Sequence, residues 1–346
     1  MFARESREKK VLVASSGGVD SAVAALLLAR EGLDVVGWWM RATGDASPLE
    51  ARRAAARLGI ELVEQDVRDR FDRDVVAPSR ASYHAGRTPN PCALCNSRLK
   101  LKMLVEAADR LGCDRVASGH YARIEMDSDG APRLLRGRDR DKDQSYFLFA
   151  LERAVLDRLV FPLGELDKTA VREIAKRENL PARAAQESQD CCFDPSPPDA
   201  GEPGEIVDPK GRFLKRHEGM AGYTVGQRRG LGVAGGRRLY VVGLEPERRR
   251  VVLGPSELLL GKRLVVSLKG FGRERVPDRL RASCRIRHRH RAAPAEARRI
   301  GGDRVEVIFD EPQRAITPGQ AAVLYDGDEV LGGGWIEEAS LSGGGG

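Results

Sequence analysis

Nowhere among its 346 residues does the chain hold a run of about 18 apolar residues, the length a membrane-spanning helix needs, so no helical membrane anchor is expected. The opening residues, MFARESREKK, are charged and lead straight into a strand-like run, without the apolar stretch of a secretory leader. Cysteine is scarce. Its six copies, at 92, 95, 113, 191, 192 and 284, are too few and too unevenly spaced for a disulfide framework. They point to reduced thiols and a cytosolic location. Cys92-x-x-Cys95 has no second Cys-x-x-Cys and no His-x-x-x-His to complete the four ligands of a structural zinc. The glycine-rich turn at Ser16 has no P-loop lysine after it, which argues against cleavage between β and γ phosphates in the P-loop manner.

The length of the chain fits two or three domains of ordinary size. Lysine and arginine number 58 against 51 acidic residues, for a formal charge of +7. That small excess is compatible with a polyanionic partner and does not by itself require one.

From Val11 the texture runs VLVAS, a glycine turn, AVAALLLAREG, then LDVVGWWM: strand, helix, strand in the order of a parallel α/β unit. PLEARRAAARLG reads as a second helix and IELVEQDV as a third strand. A helix over about 91–111 then precedes DRVASGHYARIE, read as one strand, and LDKTAVREIAKRENL is a further helix. The expected fold is a doubly wound parallel sheet. FDPSPPDAGEPGEIVDPKG, rich in Pro, Gly and acids, reads as a linker. Short alternating runs follow (RLYVVGL, RVVLG, KRLVVSL, RVEVIF, AAVLY), which read as small β modules or barrels. The expected domains are 1–200 (catalytic), 201–265 (small, central and β-rich) and 266–340 (C-terminal β-barrel), with 341–346 a flexible tail.

Two motifs carry chemistry. Ser16-Gly17-Gly18-Val19-Asp20-Ser21 lies between a strand and a helix, where glycines let backbone N–H groups approach an anion and the helix N-terminus adds positive potential. In Thr88-Pro89-Asn90-Pro91-Cys92-Ala93-Leu94-Cys95-Asn96, Asn90 suits an N-cap and Pro91 a first helical residue. Both thiols then fall in the opening turns, where the helix dipole favours thiolate. The pair Cys191-Cys192 lies about a hundred residues on, at the linker edge, where mobile active-site loops belong. Cys113 and Cys284 read as ordinary buried thiols. In CRIRHRHR the arginines recur every second residue, so a strand would put all four on one face, either against a phosphate backbone or simply in solvent.

SGGVDS resembles the PP-loop of ATP pyrophosphatases, which release pyrophosphate and leave AMP on an oxygen to be displaced. Together with GRTPNP-x-x-x-CN, SGHYAR, DKDQSYFL, FPLGELDKTAVREIA, CCF, GYTVGQRRGLG, TPGQ-x-AV and LGGGWIE, in that order over nearly the whole chain, it resembles the tRNA-uridine 2-sulfurtransferases, the MnmA/TrmU 2-thiouridylase family. The resemblance implies a PP-loop domain, a small central domain and a C-terminal β-barrel. It implies ATP, with Mg2+, held by Ala14, Ser15, Ser16, Gly17, Gly18, Val19, Asp20 and Ser21 with Met40 and Gly119. Cys95 falls at the nucleophile position and Cys192 at that of the persulfide carrier, a pair able to close a disulfide. Asn90, Pro91 and Cys92 would face the target base, and His120, Lys142, Asp143, Gln144, Arg287, His288 and Gln320 match tRNA-contacting positions.

The implied reaction adenylates the 2-oxygen of the wobble uridine in tRNA and replaces it by sulfur, which a relay protein or cysteine desulfurase must supply. Three departures stand out: Cys92 replaces the aspartate many members carry, and the segments after Met40 and Cys192 are short. With Cys92, Cys95 and Cys192 all present, a 4Fe-4S cluster is the alternative sulfide carrier. An ammonia-using PP-loop ligase shares the ATP chemistry, but the thiol-bearing TPNP-x-x-x-CN segment argues against it. The complete PP-loop argues against a non-catalytic RNA-binding protein.

Overall fold

Val11, Leu12 and Val13 are at most 1% exposed, as consecutive apolar residues must be in a strand covered on both faces. In the computed structural model, which describes residues 10–181, 191–195, 201–233, 238–270 and 278–341, they form the middle of β1 (Lys10–Ala14). β2 (Asp34–Arg41), β3 (Glu61–Asp66) and β4 (Arg115–Ala117) follow, then the antiparallel hairpin of β5 (Ala122–Met126) and β6 (Pro132–Arg136), then β7 (Leu159–Val160). Five of these make a parallel sheet in the order β3-β2-β1-β4-β7. The chain steps one way from β1 to β3 and the other way to β4 and β7. The crevice at the carboxyl ends of β1 and β4 is therefore the topological switch point, where open α/β sheets bind ligands.

Helices α1 (Val19–Arg30), α2 (Leu49–Leu58), α3 (Leu101–Leu111) and α4 (Lys168–Arg177) belong to the same unit as this sheet. Ala25 and Leu28 of α1 pack against Val11, Val13 and Val35, while Ala22 and Val23 meet Val171 and Ala175 of α4. Asp167 caps α4 by accepting from Ala170 N at 2.7 Å, a contact of about 1 kcal/mol. Asp328–Val330 also counts with this unit, where Asp328 receives Arg123 at 2.8 Å and Arg140 at 2.6 Å.

The helix expected over 91–111 is present in three pieces: Pro91–Leu94, a π-helical segment Cys95–Lys100, and α3. The strand expected through DRVASGHYARIE is not continuous. β4 stops at Ala117, and the chain turns through Ser118–Tyr121 before β5 opens in the antiparallel hairpin. The turn brings Gly119 against the backbone of Asp20 and Ser21, where a Cβ would sit 2.8 Å from the Asp20 carbonyl carbon.

The second unit comprises Val76–Ala93 and the described residues of Asp194–Gly327 and Leu331 onward. Its first sheet contains β8 (Gly204–Val207), β9 (Phe213–His217), β10 (Tyr240–Glu245) and β11 (Arg250–Gly254) in the order β10-β11-β8-β9. β8 lies inside the segment read as linker: Ile206 and Val207 are buried and pair with β11, so this part of the Pro/Gly-rich stretch is structural. Residues 196–200 of that segment and the tail at 342–346 lie outside the described residues.

β12 (Leu260–Gly270), β13 (Arg279–Arg285), β14 (Ala293–Gly301), β15 (Arg304–Arg314), β16 (Ala321–Asp326) and β17 (Glu329–Leu341) form an antiparallel barrel in the order β12-β15-β14-β13-β16-β17, which the β12–β17 pairing closes. Closure leaves the barrel no free edge. Its core includes Cys284, Ile286, Val305, Val307, Phe309 and Leu324. The arginine ladder does not form. β13 ends at Arg285, Ile286 follows Cys284 into the core, and the chain then turns, with His290 N bonding Arg287 O at 3.0 Å.

Candidate active site in the PP-loop unit

β1 ends at Ala14, and Ser15 N bonds Trp38 O at 2.7 Å, fixing where the loop leaves the sheet. Gly17 takes φ 81°, and a Cβ there would lie 2.7 Å from Ala51 N at the start of α2, so both its conformation and its surroundings demand glycine. Gly18 is the N-cap of α1. Ser21 Oγ donates to Gly18 O at 3.0 Å and shares a 3.2 Å hydrogen bond with Ser16 Oγ, which holds the loop curled while Ser16 stays exposed at its mouth. The result is a ring of main-chain donors at a helix N-terminus, suited to phosphate. Met40 lies two residues past Trp38, the register partner of Ala14, at the same edge of the sheet.

Asp20 is held from two sides. Tyr121 Oη donates to its Oδ1 at 2.8 Å, and Lys168 Nζ reaches both carboxylate oxygens, at 2.6 and 2.8 Å. Burial first, then the Asp20 charge, pushes the Tyr121 phenol well above its usual pKa, so it stays a donor. Lys168 was not singled out from the sequence. It lies in the LDKTAVREIA landmark, and its nearness to Asp20 is a tertiary fact.

Next to Gly119, His120 is buried between polar partners: Nδ1 lies 2.8 Å from Ser118 Oγ and Nε2 lies 3.3 Å from Lys100 Nζ. Burial, then the Lys100 charge, lowers its pKa well below 6.5, so the ring is neutral. Lys100 in turn acts on Cys95. Burial pushes the Cys95 thiol up to about 11, Lys100 pulls it down, and Cys192 and Cys191 raise it further. The thiolate expected from the helix dipole is thus not the resting state, because desolvation outweighs the dipole. The Cys192 thiol is also raised, by desolvation first and Cys191 second, although the residue lies at the exposed surface. Phe193 packs edge-on against buried Phe71, ring centroids 5.2 Å apart, which anchors this segment beside Cys95.

All six cysteines are free thiols, with Cys113 and Cys284 buried as expected. Among the described residues no three His, Cys, Asp or Glu side chains gather closely enough to hold a metal ion.

The remaining predicted positions fall in both units. Asp143 is buried and accepts from Gly137 N at 3.2 Å and Ser145 N at 3.1 Å, while Gln144 Oε1 accepts from Tyr121 N at 3.0 Å. These two residues therefore shape the turn that backs Tyr121, and Lys142 beside them is half-buried. In the second unit Asn90 Oδ1 accepts from Ala93 N at 3.2 Å, the expected cap, ahead of Pro91 and half-buried Cys92. Gln320 Nε2 donates to Pro89 O at 2.9 Å and Thr88 O at 3.3 Å, so it props the strap before the cysteine helix. Arg287 and His288 lie in the turn after β13, both half-buried.

Three family models match the chain: a tRNA methyl transferase HUP domain over residues 9–196, a tRNA methyl transferase PRC-barrel domain over 199–255, and an aminomethyltransferase β-barrel domain over 264–336. Among curated proteins it is 44% identical to the tRNA-specific 2-thiouridylase MnmA of Geobacter metallireducens, covering 98% of this chain and 100% of that protein. It is 46% identical to the protein of the same name from Syntrophotalea carbinolica, covering 96% and 99%. That from Carboxydothermus hydrogenoformans is 44% identical, covering 95% and 98%. With a PP-loop at the switch point and two thiols interacting in the same unit, the chain belongs to the tRNA-specific 2-thiouridylase family.

Proposed function

We propose that the protein converts the wobble uridine of tRNA to 2-thiouridine, consuming ATP and releasing AMP and pyrophosphate. The observation that carries this reading is the run of contacts from loop to thiol: Gly119 abuts the PP-loop backbone, His120 meets Lys100, and Lys100 acts on Cys95, which also feels Cys192. A phosphate-activating loop and a sulfur carrier thus share one unit. Ala14 to Ser21, with Met40 and Gly119, hold the nucleotide. Asp20 is the residue that would hold Mg2+, which when bound would supply charge neutralisation on the leaving pyrophosphate.

The uridine 2-oxygen attacks the α-phosphate of ATP and pyrophosphate leaves. Sulfur carried as a persulfide on Cys192 then attacks C2, and AMP departs with the original oxygen. Attack of Cys95 on the Cys192 sulfur frees the thiocarbonyl or, earlier, a hydrosulfide; either way a Cys95–Cys192 disulfide closes, to be reduced by an external thiol. The raised pKa of Cys95 fits this order, since its thiol stays protonated at rest. Asn90, Pro91 and Cys92 face the base, and His120, Lys142, Asp143, Gln144, Arg287, His288 and Gln320 serve the tRNA site, directly or by shaping it. A relay protein or cysteine desulfurase delivers the sulfur in the cytosol.

The test is nucleoside mass spectrometry of tRNA incubated with ATP, cysteine and a cysteine desulfurase. The parent forms 2-thiouridine and Cys192→Ser forms none while still releasing pyrophosphate. Full thiolation by the Cys192→Ser protein would defeat the persulfide route.

A further inference from the structure

Two modules of the second unit meet at a cluster of cationic groups. The loop carrying GQRRG is bonded to β10 through Gly226 N to Val241 O at 2.8 Å and Val241 N to Gln227 O at 2.9 Å. Gly226 is so close to the end of β15 that a Cβ on it would lie 3.1 Å from that of Ala315. At this junction the Arg314 guanidinium stacks over the Tyr240 ring, its carbon 4.7 Å from the centroid. Hydrogen bonds from Arg314, and after it from Arg228, hold the Tyr240 phenol below its usual pKa. Arg287 completes the group by donating to Arg314 O at 2.8 Å.

Several arginines of the barrel are matched by a carboxylate: Arg263 and Arg298 share Glu306, and Arg281 pairs with Asp310. Arg228 and Arg314 differ from these three. Both are exposed, and among the described residues neither has a carboxylate partner. Instead the Tyr240 ring face orients Arg314, which fixes its direction without a carboxylate to cancel its charge. An oriented guanidinium at Arg314, joined to Arg287 and with Arg228 on the loop bonded to the same strand, suits a phosphodiester backbone, whose oxygens accept paired N–H donors.

We propose that Arg314, stacked on Tyr240 and linked to Arg287, and Arg228 on the GQRRG loop clamp the phosphate backbone of the RNA substrate across the junction of the central sheet and the barrel. This rests on the thiolation reading and extends it, because it places a binding element on the GQRRG loop. It also explains why the turn after β13 holds Arg287 without forming a strand ladder: the residue is drawn to the end of β15.

The test is tRNA binding by filter isotherms between 50 and 200 mM KCl, for the parent and for protein carrying both Arg228→Gln and Arg314→Gln. Each phosphate contact contributes about 0.7 to 0.9 to the log-log salt slope, so losing two flattens it by about 1.4 to 1.8. Over that salt range the parent then loses about 7- to 12-fold more affinity than the variant. Identical slopes would overturn the clamp, and would be the result if the cluster instead docks an acidic protein. The variant with Arg228→Lys and Arg314→Lys, which keeps both charges, should keep the parent slope; a flattened slope there would overturn the proposal too. A parent that binds no tRNA refutes the clamp and the thiolation reading together. A parent that binds tRNA without thiolating it refutes only the latter, leaving the slopes to judge the clamp.

Discussion

Replacing Lys168 by Met removes an ammonium from Asp20 while keeping most of the side chain's length. The pair is short, 2.6 and 2.8 Å, and its side chains are only 17% and 15% exposed. Breaking a fully buried pair from one side costs about 3–5 kcal/mol. Here Tyr121 still donates to the carboxylate and some water reaches it, so the cost falls within the about 1.5–3 kcal/mol of a hydrogen bond to a charged group, near 2 kcal/mol. At about 2–4 °C per kcal/mol for a unit of this size, the melting temperature drops by about 4–8 °C. Pyrophosphate release falls as well, because Asp20 is the first-turn acid of the loop that must grip ATP. Thermal melts of the parent, Lys168→Met, Asp20→Asn and the double variant give the coupling directly. Additivity within about 0.5 kcal/mol would show that the two residues act independently and refute the reasoning.

Gly119→Ala puts a methyl 2.8 Å from the Asp20 carbonyl carbon and 2.9 Å from Ser21 N, backbone atoms that cannot yield cheaply; overpacking of about 1–3 kcal/mol should displace the loop, and pyrophosphate assays should show lost ATP turnover with tRNA binding intact. Cys95, with its thiol near 11, should be alkylated by iodoacetamide at a rate rising about tenfold per pH unit from pH 7 to 10; a plateau below pH 9, read by peptide mass spectrometry, would contradict the burial argument.

What could be read from the sequence was local. The SGGVDS turn, the Asn90 cap and the alternating strands of the barrel each depend on residues within a few positions of one another, and all are present. Three features needed tertiary information. Asp20 and Lys168 are 148 residues apart, so nothing local pairs them. The alternation in VASGHYARIE reads as strand on either side of the turn, and only the approach of Gly119 to Asp20 explains the break. In CRIRHRHR the same two-residue period serves Cys284 and Ile286 in the barrel core, and the turn closed by His290 N on Arg287 O, with Arg287 bonded to Arg314 O, breaks the register before the arginines can align. The thiolate expected at Cys95 failed for a similar reason: position in a helix was visible, burial was not.

The most direct test of the chemistry follows the displaced oxygen. A substrate tRNA carrying 18O at the 2-position of the wobble uridine is incubated with the protein, ATP and the desulfurase system, and AMP and nucleosides are analysed by mass spectrometry. Adenylation of that oxygen predicts one 18O in AMP for each 2-thiouridine formed, and none in pyrophosphate. Thiolation with unlabelled AMP would contradict it, since the oxygen would then have left without ever joining the α-phosphate.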